Sequence, residues 1–136
     1  MPESSSGGIK KSGDYKIPNM VAKTFNIGDI IIAEGGYDSG AYKIIKGEVE
    51  VTKMSRNATV KLATLEKGAI FGEMTLIDKK PHSATVIALS EVECIYFDRT
   101  TFENELAESS PVIREMLYAF SQRLRGADER ISSQLK

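Results

Sequence analysis

Phe71-Gly72-Glu73-Met74-Thr75-Leu76-Ile77-Asp78-Lys79-Lys80-Pro81-His82-Ser83-Ala84-Thr85 is the stretch on which the reading of this chain turns. An aromatic residue precedes Gly-Glu, a short apolar turn closes in Lys-Lys-Pro, and small residues lead into Val86-Ile87-Ala88-Leu89. The arrangement suits the capture of a small sugar-phosphate anion. Gly72 lets backbone N–H groups approach a ligand closely. A short helix starting near Glu73 aims its unbonded N–H groups at an anion. A carboxylate is the wrong neighbour for a phosphate, so Glu73 fits better as the acceptor for a sugar hydroxyl. Its alternative role is that of a first-turn acid complementing the helix dipole.

The stretch resembles the phosphate-binding cassette of cyclic-nucleotide-binding domains, a family that includes bacterial catabolite activators, cyclic-nucleotide-dependent kinase regulators and gated channels. The family pattern is Phe-Gly-Glu, an apolar helical turn, then Pro-Arg-small-Ala-Thr. Phe71-Gly72-Glu73 and Pro81…Ser83-Ala84-Thr85 fit it with the right spacing, and His82 stands where the family has arginine. The resemblance implies cyclic AMP or cyclic GMP as ligand and no other cofactor. It implies a site built from Phe71, Gly72, Glu73, Met74, Thr75, His82, Ser83 and Ala84. In that site Glu73 takes a ribose hydroxyl, Gly72, Met74 and Thr75 offer backbone N–H groups, and Ser83 lies beside phosphate and base. His82 bears on how far this carries over. Arginine grips phosphate with a permanent charge and two prongs, whereas a neutral imidazole offers one donor. Exchanging a charged hydrogen bond of ~1.5–3 kcal/mol for a neutral one of ~1 kcal/mol weakens binding roughly three- to thirty-fold. Lys79 and Lys80 are candidates for the missing charge, or simply a solvated loop.

Outward from the cassette the pattern is β-rich. Ile30-Ile31-Ile32-Ala33 is a short apolar run between Gly-containing turns, and Val49 and Val51 alternate with Glu48, Glu50 and Thr52. Lys46-Gly47 reads as a hairpin turn between Tyr42–Ile45 and Glu48–Thr52. Ser55-Arg56-Asn57 reads as another turn. Thr85 to Leu89 and Val92 to Phe97 supply two further strands. Many short strands with Gly-rich turns predict a sandwich or barrel. The family likeness extends over about residues 24–125 and implies a mainly β chain: an antiparallel, jelly-roll-like β-roll with a cassette helix and a C-terminal helical lid. The expected organisation is a disordered tail over 1–19 and one domain over 20–136, with the roll at about 22–99 and helices at about 100–135.

Ser109-Ser110-Pro111 is a helix start, with Ser110 as N-cap and proline at the first helical position. Beyond it Ile113, Leu117, Phe120, Leu124, Ala127 and Ile131 recur at alternating spacings of four and three, a heptad seam suited to pairing a second copy. The alternative is that the first half of the stripe packs on the roll, and Gly126, unfavourable within a helix, supports it.

Bulk properties narrow the function classes. The 136 residues suffice for one domain. A net charge of −1 gives no electrostatic reason to expect nucleic acid as a partner. No apolar run reaches the ~20 residues of a membrane span. The start lacks the apolar core of a secretory signal, so the expected location is cytoplasmic. One cysteine and one histidine make no Cys/His metal site, and no nucleophile–base pair supports catalysis. The reading is a stand-alone cytosolic cyclic-nucleotide sensor that signals through its C-terminal helix to an unknown effector or a second copy. The alternative is the same fold with nucleotide binding lost, serving as an interaction or oligomerisation domain. A transcription regulator would need a helix-turn-helix beyond the long helix.

Overall fold

The computed structural model describes residues 20–38 and 40–134. The stretch 1–19, read above as a disordered tail, and the side chain of Ile131 lie outside what is described. Eight strands come first: β1 (Val21–Phe25), β2 (Ile30–Ile32), β3 (Gly40–Lys46), β4 (Val49–Ser55), β5 (Ala58–Leu65), β6 (Ile70–Phe71), β7 (Thr85–Ala88) and β8 (Val92–Asp98). The helix α1 (Glu73–Asp78) interrupts them after β6, and α2 (Arg99–Ala107) and α3 (Pro111–Gln134) follow. The strands form two antiparallel four-stranded sheets, in the orders β1-β8-β3-β6 and β2-β7-β4-β5. This is the mainly β roll with C-terminal helices expected from the sequence.

Consecutive strands mostly change sheet, and that corrects one local expectation. Lys46-Gly47 is not a hairpin turn: β3 pairs with β6 and β8, whereas β4 pairs with β5 and β7. The Gly47 corner instead lies against the corner that carries β7 into β8. Leu89 N–H donates to the Glu48 carbonyl at 2.9 Å, and Glu48 N–H to Ser90 Oγ at 3.1 Å. Gly47 has φ of 96°, and a Cβ there would lie 2.2 Å from the Glu91 carbonyl oxygen. Only a residue without a side chain lets the two corners touch. The true hairpin is β4–β5, turned by Arg56 and Asn57 at positive φ.

The facing sides of the two sheets bury Ile32, Ile44, Val49, Val86, Val92 and Cys94, among others, with aromatic Tyr42 and Phe71 at one end. Fully burying such an aliphatic side chain stabilises the fold by roughly 1.5–3 kcal/mol. Cys94 has no exposed surface, and burial pushes its thiol up to about 11. Tyr42 stacks on Phe71 with ring centroids 5.2 Å apart. The contact fixes β6, and with it the start of α1, against the middle of a sheet.

Candidate functional site

Phe71 is 4% exposed, and Gly72 follows it in the left-handed region at φ 81°. A Cβ on Gly72 would come within 2.7 Å of Ile32 Cδ1 and 3.1 Å of the Gly40 carbonyl oxygen. The glycine thus turns the chain out of β6 and lets it lie on β2 and β3. α1 runs for six residues and ends at Lys79, also left-handed, whose N–H donates to the Thr75 carbonyl. Thr75 and Leu76 form its buried side.

His82 is buried, its side chain only 4% exposed. Its Nε2 lies 2.9 Å from the Asp38 backbone carbonyl, which can only accept, so that nitrogen carries the proton. Nδ1 lies 3.1 Å from the Thr75 hydroxyl, which completes the pair by donating to it. The backbone joins in: His82 N–H donates to the Gly36 carbonyl and Gly35 N–H to the His82 carbonyl. In this arrangement both ring nitrogens are spent on the protein. The imidazole staples the loop after β2 to the buried side of α1.

Beyond His82 the chain is held from the other sheet. Lys53 of β4 donates to the Ser83 carbonyl at 2.8 Å and meets Glu34 at 3.5 Å. Glu34 in turn accepts from Met54 N–H, and Thr85 Oγ1 accepts from Glu34 N–H. None of these contacts is visible in the spacing of the sequence, because the partners come from three separate segments.

The strongest polar contact at the site comes from α3. Arg125 reaches Asp78 with both Nε and Nη2, and donates from Nη1 to the Pro81 carbonyl at 3.0 Å. The Asp78 side chain is fully buried and that of Arg125 is 12% exposed. Burial works against the charged form of Asp78. The Arg125 guanidinium and the Lys80 N–H outweigh it and hold the carboxyl below its ordinary value. Sequence reasoning missed this pair, though a signal existed. Asp78 closes a helix, where the dipole disfavours an acid, and the last turn of α1 has no basic residue of its own to offset it. Such an acid calls for a cation from elsewhere.

All eight residues singled out from the sequence line one cavity of about 160 Å³. Apolar Ile32, Val51, Leu65 and Val86 also line it, as does Arg125. A wider polar cleft adjoins it between Lys53, Lys80, Gln122 and Arg125. No group of three or more His, Cys, Asp or Glu among the described residues could hold a metal ion. No described helix is long and apolar enough to cross a membrane.

On α3 most of the expected seam faces outward. Ile113, Phe120 and Leu124 are each about half exposed and share their outward face with Met116, whereas Leu117 is half-buried. The face toward the cassette is polar, with Ser121 buried and Gln122 and Arg125 half-buried. Ile113, Phe120 and Leu124 therefore do not pack on the roll. The ion pair with Asp78 and the carbonyls of Pro81 and Lys80 turn the arginine face inward instead.

Comparison with known proteins adds a further line of evidence. The sequence profile of the family described as "Cyclic nucleotide-binding domain" matches residues 22–109. The chain is 29% identical over 106 residues to the cAMP-dependent protein kinase type II regulatory subunit of Drosophila melanogaster, a match covering 77% of this chain and 28% of that protein. It is 33% identical over 109 residues to cGMP-dependent protein kinase 2 of Homo sapiens, covering 78% of this chain and 14% of the kinase. The chain thus spans a minor part of either relative. Among solved structures, the cAMP-bound form of EAL enzyme Bd1971 superposes with a TM-score of 0.73 at 30% identity, covering 82% of this chain and 30% of that one.

Proposed function

The chain belongs to the cyclic nucleotide-binding domain family, and from that premise we propose that it is a regulatory module that binds cyclic AMP or cyclic GMP and reports the ligand by moving α3. The supporting observation is convergence. Phe71, Gly72, Glu73, Met74, Thr75, His82, Ser83 and Ala84 share one cavity, and a helix from the far end of the chain lines it through Arg125. Glu73, at the start of α1, takes the ribose hydroxyls; the backbone from Gly72 to Thr75 faces sugar and phosphate. At about 160 Å³ the cavity is smaller than the ~300–1,000 Å³ usual for small-molecule sites. A nucleotide that fills it extends past Arg125 into the adjoining cleft, so its entry bears on the position of α3, and that movement is the signal. The module works in the cytoplasm on a protein effector and carries no catalysis of its own.

The test is calorimetric titration of the chain with each nucleotide, beside Glu73→Ala. Saturable binding of at least one is expected, weakened about ten- to a hundred-fold by the substitution, the equivalent of a charged hydrogen bond of ~1.5–3 kcal/mol. No binding up to millimolar nucleotide sinks the proposal. It would favour the second reading, an interaction domain that has lost its ligand, to which the fully engaged ring of His82 also speaks.

The exposed stripe Ile113–Met116–Phe120–Leu124 fits a second copy of the chain, its spacings of three and four being those of a helix–helix seam. Sedimentation of the chain should show a dimer that Phe120→Glu converts to monomer. A wild-type chain that stays monomeric across the micromolar range removes the seam.

A further inference from the structure

Two charged residues line the cavity, Glu73 and Arg125, and only the second is a cation. Lys79 and Lys80 of the cassette do not line this cavity, and Lys80 faces the adjoining cleft instead. The ring at position 82 is bonded to Thr75 and to the Asp38 carbonyl. We infer that Arg125, carried on α3, is the anion anchor of the site, and that Asp78 holds its place against the guanidinium until the ligand phosphate competes for it. The inference rests on the nucleotide-binding reading above.

Four observations carry it. Arg125 lies on the boundary between the cavity and the adjoining polar cleft, where a small displacement serves either side. Its present partners are all acceptors: both carboxylate oxygens of Asp78 and the carbonyls of Pro81 and Lys80. A guanidinium that takes a carboxylate with two N–H groups takes two phosphate oxygens in the same fork. Asp78, in turn, is the one ionic partner among them, so a phosphate that takes the guanidinium exchanges one anion for another. Finally, Gln122 lies one turn before Arg125 and lines the same cleft, and its Nε2 is buried with no hydrogen-bond partner among the described residues. That spare donor suits an incoming oxyanion.

One residue then does two things. It neutralises the ligand and carries the helix, so the ligand's charge and the position of α3 are linked without an intermediary. A ligand shifts the helix only by as much as it binds one position better than the other. Exchanging Asp78 for phosphate at a single arginine supplies that difference.

The two partners of the pair should respond in opposite directions. In calorimetric titration of the full chain with cyclic AMP and cyclic GMP, Arg125→Gln is expected to weaken binding at least ten-fold. Asp78→Asn, which frees Arg125, is expected to tighten it about three- to ten-fold. Arg125→Lys should fall between wild type and glutamine, keeping the charge and losing the fork. If the pair merely fastens α3 to the cassette, both Asp78→Asn and Arg125→Gln weaken binding alike, and the assignment is overturned while the nucleotide-binding reading stands. Wild-type chain that binds neither nucleotide overturns both. Should Arg125→Gln fail to fold by circular dichroism, the sign of the Asp78→Asn effect decides.

Discussion

His82→Leu is expected to lower the stability of the free chain by about 2–4 kcal/mol, with or without any effect on a ligand. The substitution keeps most of the side-chain volume and removes both ring nitrogens. Thr75, 1% exposed, loses the acceptor of its hydroxyl, and the Asp38 carbonyl loses its donor. An unsatisfied buried polar group costs roughly 1–3 kcal/mol, and leucine's added burial recovers only part of that. For a domain of this size the loss appears as a fall in melting temperature of roughly 8–16 °C. Thermal unfolding followed by circular dichroism reads it directly. A melting temperature within two degrees of wild type, joined to a large loss of nucleotide affinity, would show the ring to be a ligand group and not a staple.

The largest effect of a single methyl group is expected at Gly47. Here two costs add. The backbone has φ of 96°, which an L-residue adopts at a cost of about 1–2 kcal/mol. The new Cβ also meets the Glu91 carbonyl oxygen at 2.2 Å and the Val92 Cα at 3.0 Å. These atoms are backbone, so relief requires separating the two corners that join the sheets, at a further ~1–3 kcal/mol. Gly68 provides the matched control. Its φ is 95°, yet nothing lies within 4 Å of its would-be Cβ. Denaturant unfolding of Gly68→Ala should therefore show only the backbone cost, about 1–2 kcal/mol, and Gly47→Ala about 2–5 kcal/mol. Equal losses at the two positions would mean the corners do not bear on each other.

How much of this was legible in the sequence depends on the distance over which each signal acts. The cassette is contiguous: Phe71-Gly72-Glu73 and Pro81…Thr85 declare themselves through local chemistry, and the structure brings their side chains to one cavity. Strands were legible for the same reason. Their pairing was not. Lys46-Gly47 has the composition of a hairpin turn, and only the pairing of β3 with β6 and β8, and of β4 with β5 and β7, reveals a change of sheet. The role of His82 was obscured by a partner 44 residues away, the carbonyl of Asp38, which no side-chain pattern announces. Arg125 was hidden by its own helix. The apolar stripe on α3 invites packing on the roll, but hydrophobic periodicity ranks faces by burial and takes no account of an ion pair. A buried carboxylate at the end of α1 was enough to turn the polar face inward.

Cys94 has a use beyond filling the core. It is the single thiol of the chain, fully enclosed where β8 is paired on both sides, by β1 and β3. Burial holds it protonated and out of reach, so it meets a thiol-directed reagent only when that sheet parts. The protein thus contains its own clock. The speed at which Cys94 is labelled counts the openings of the roll, without a tag and without disturbing the cassette.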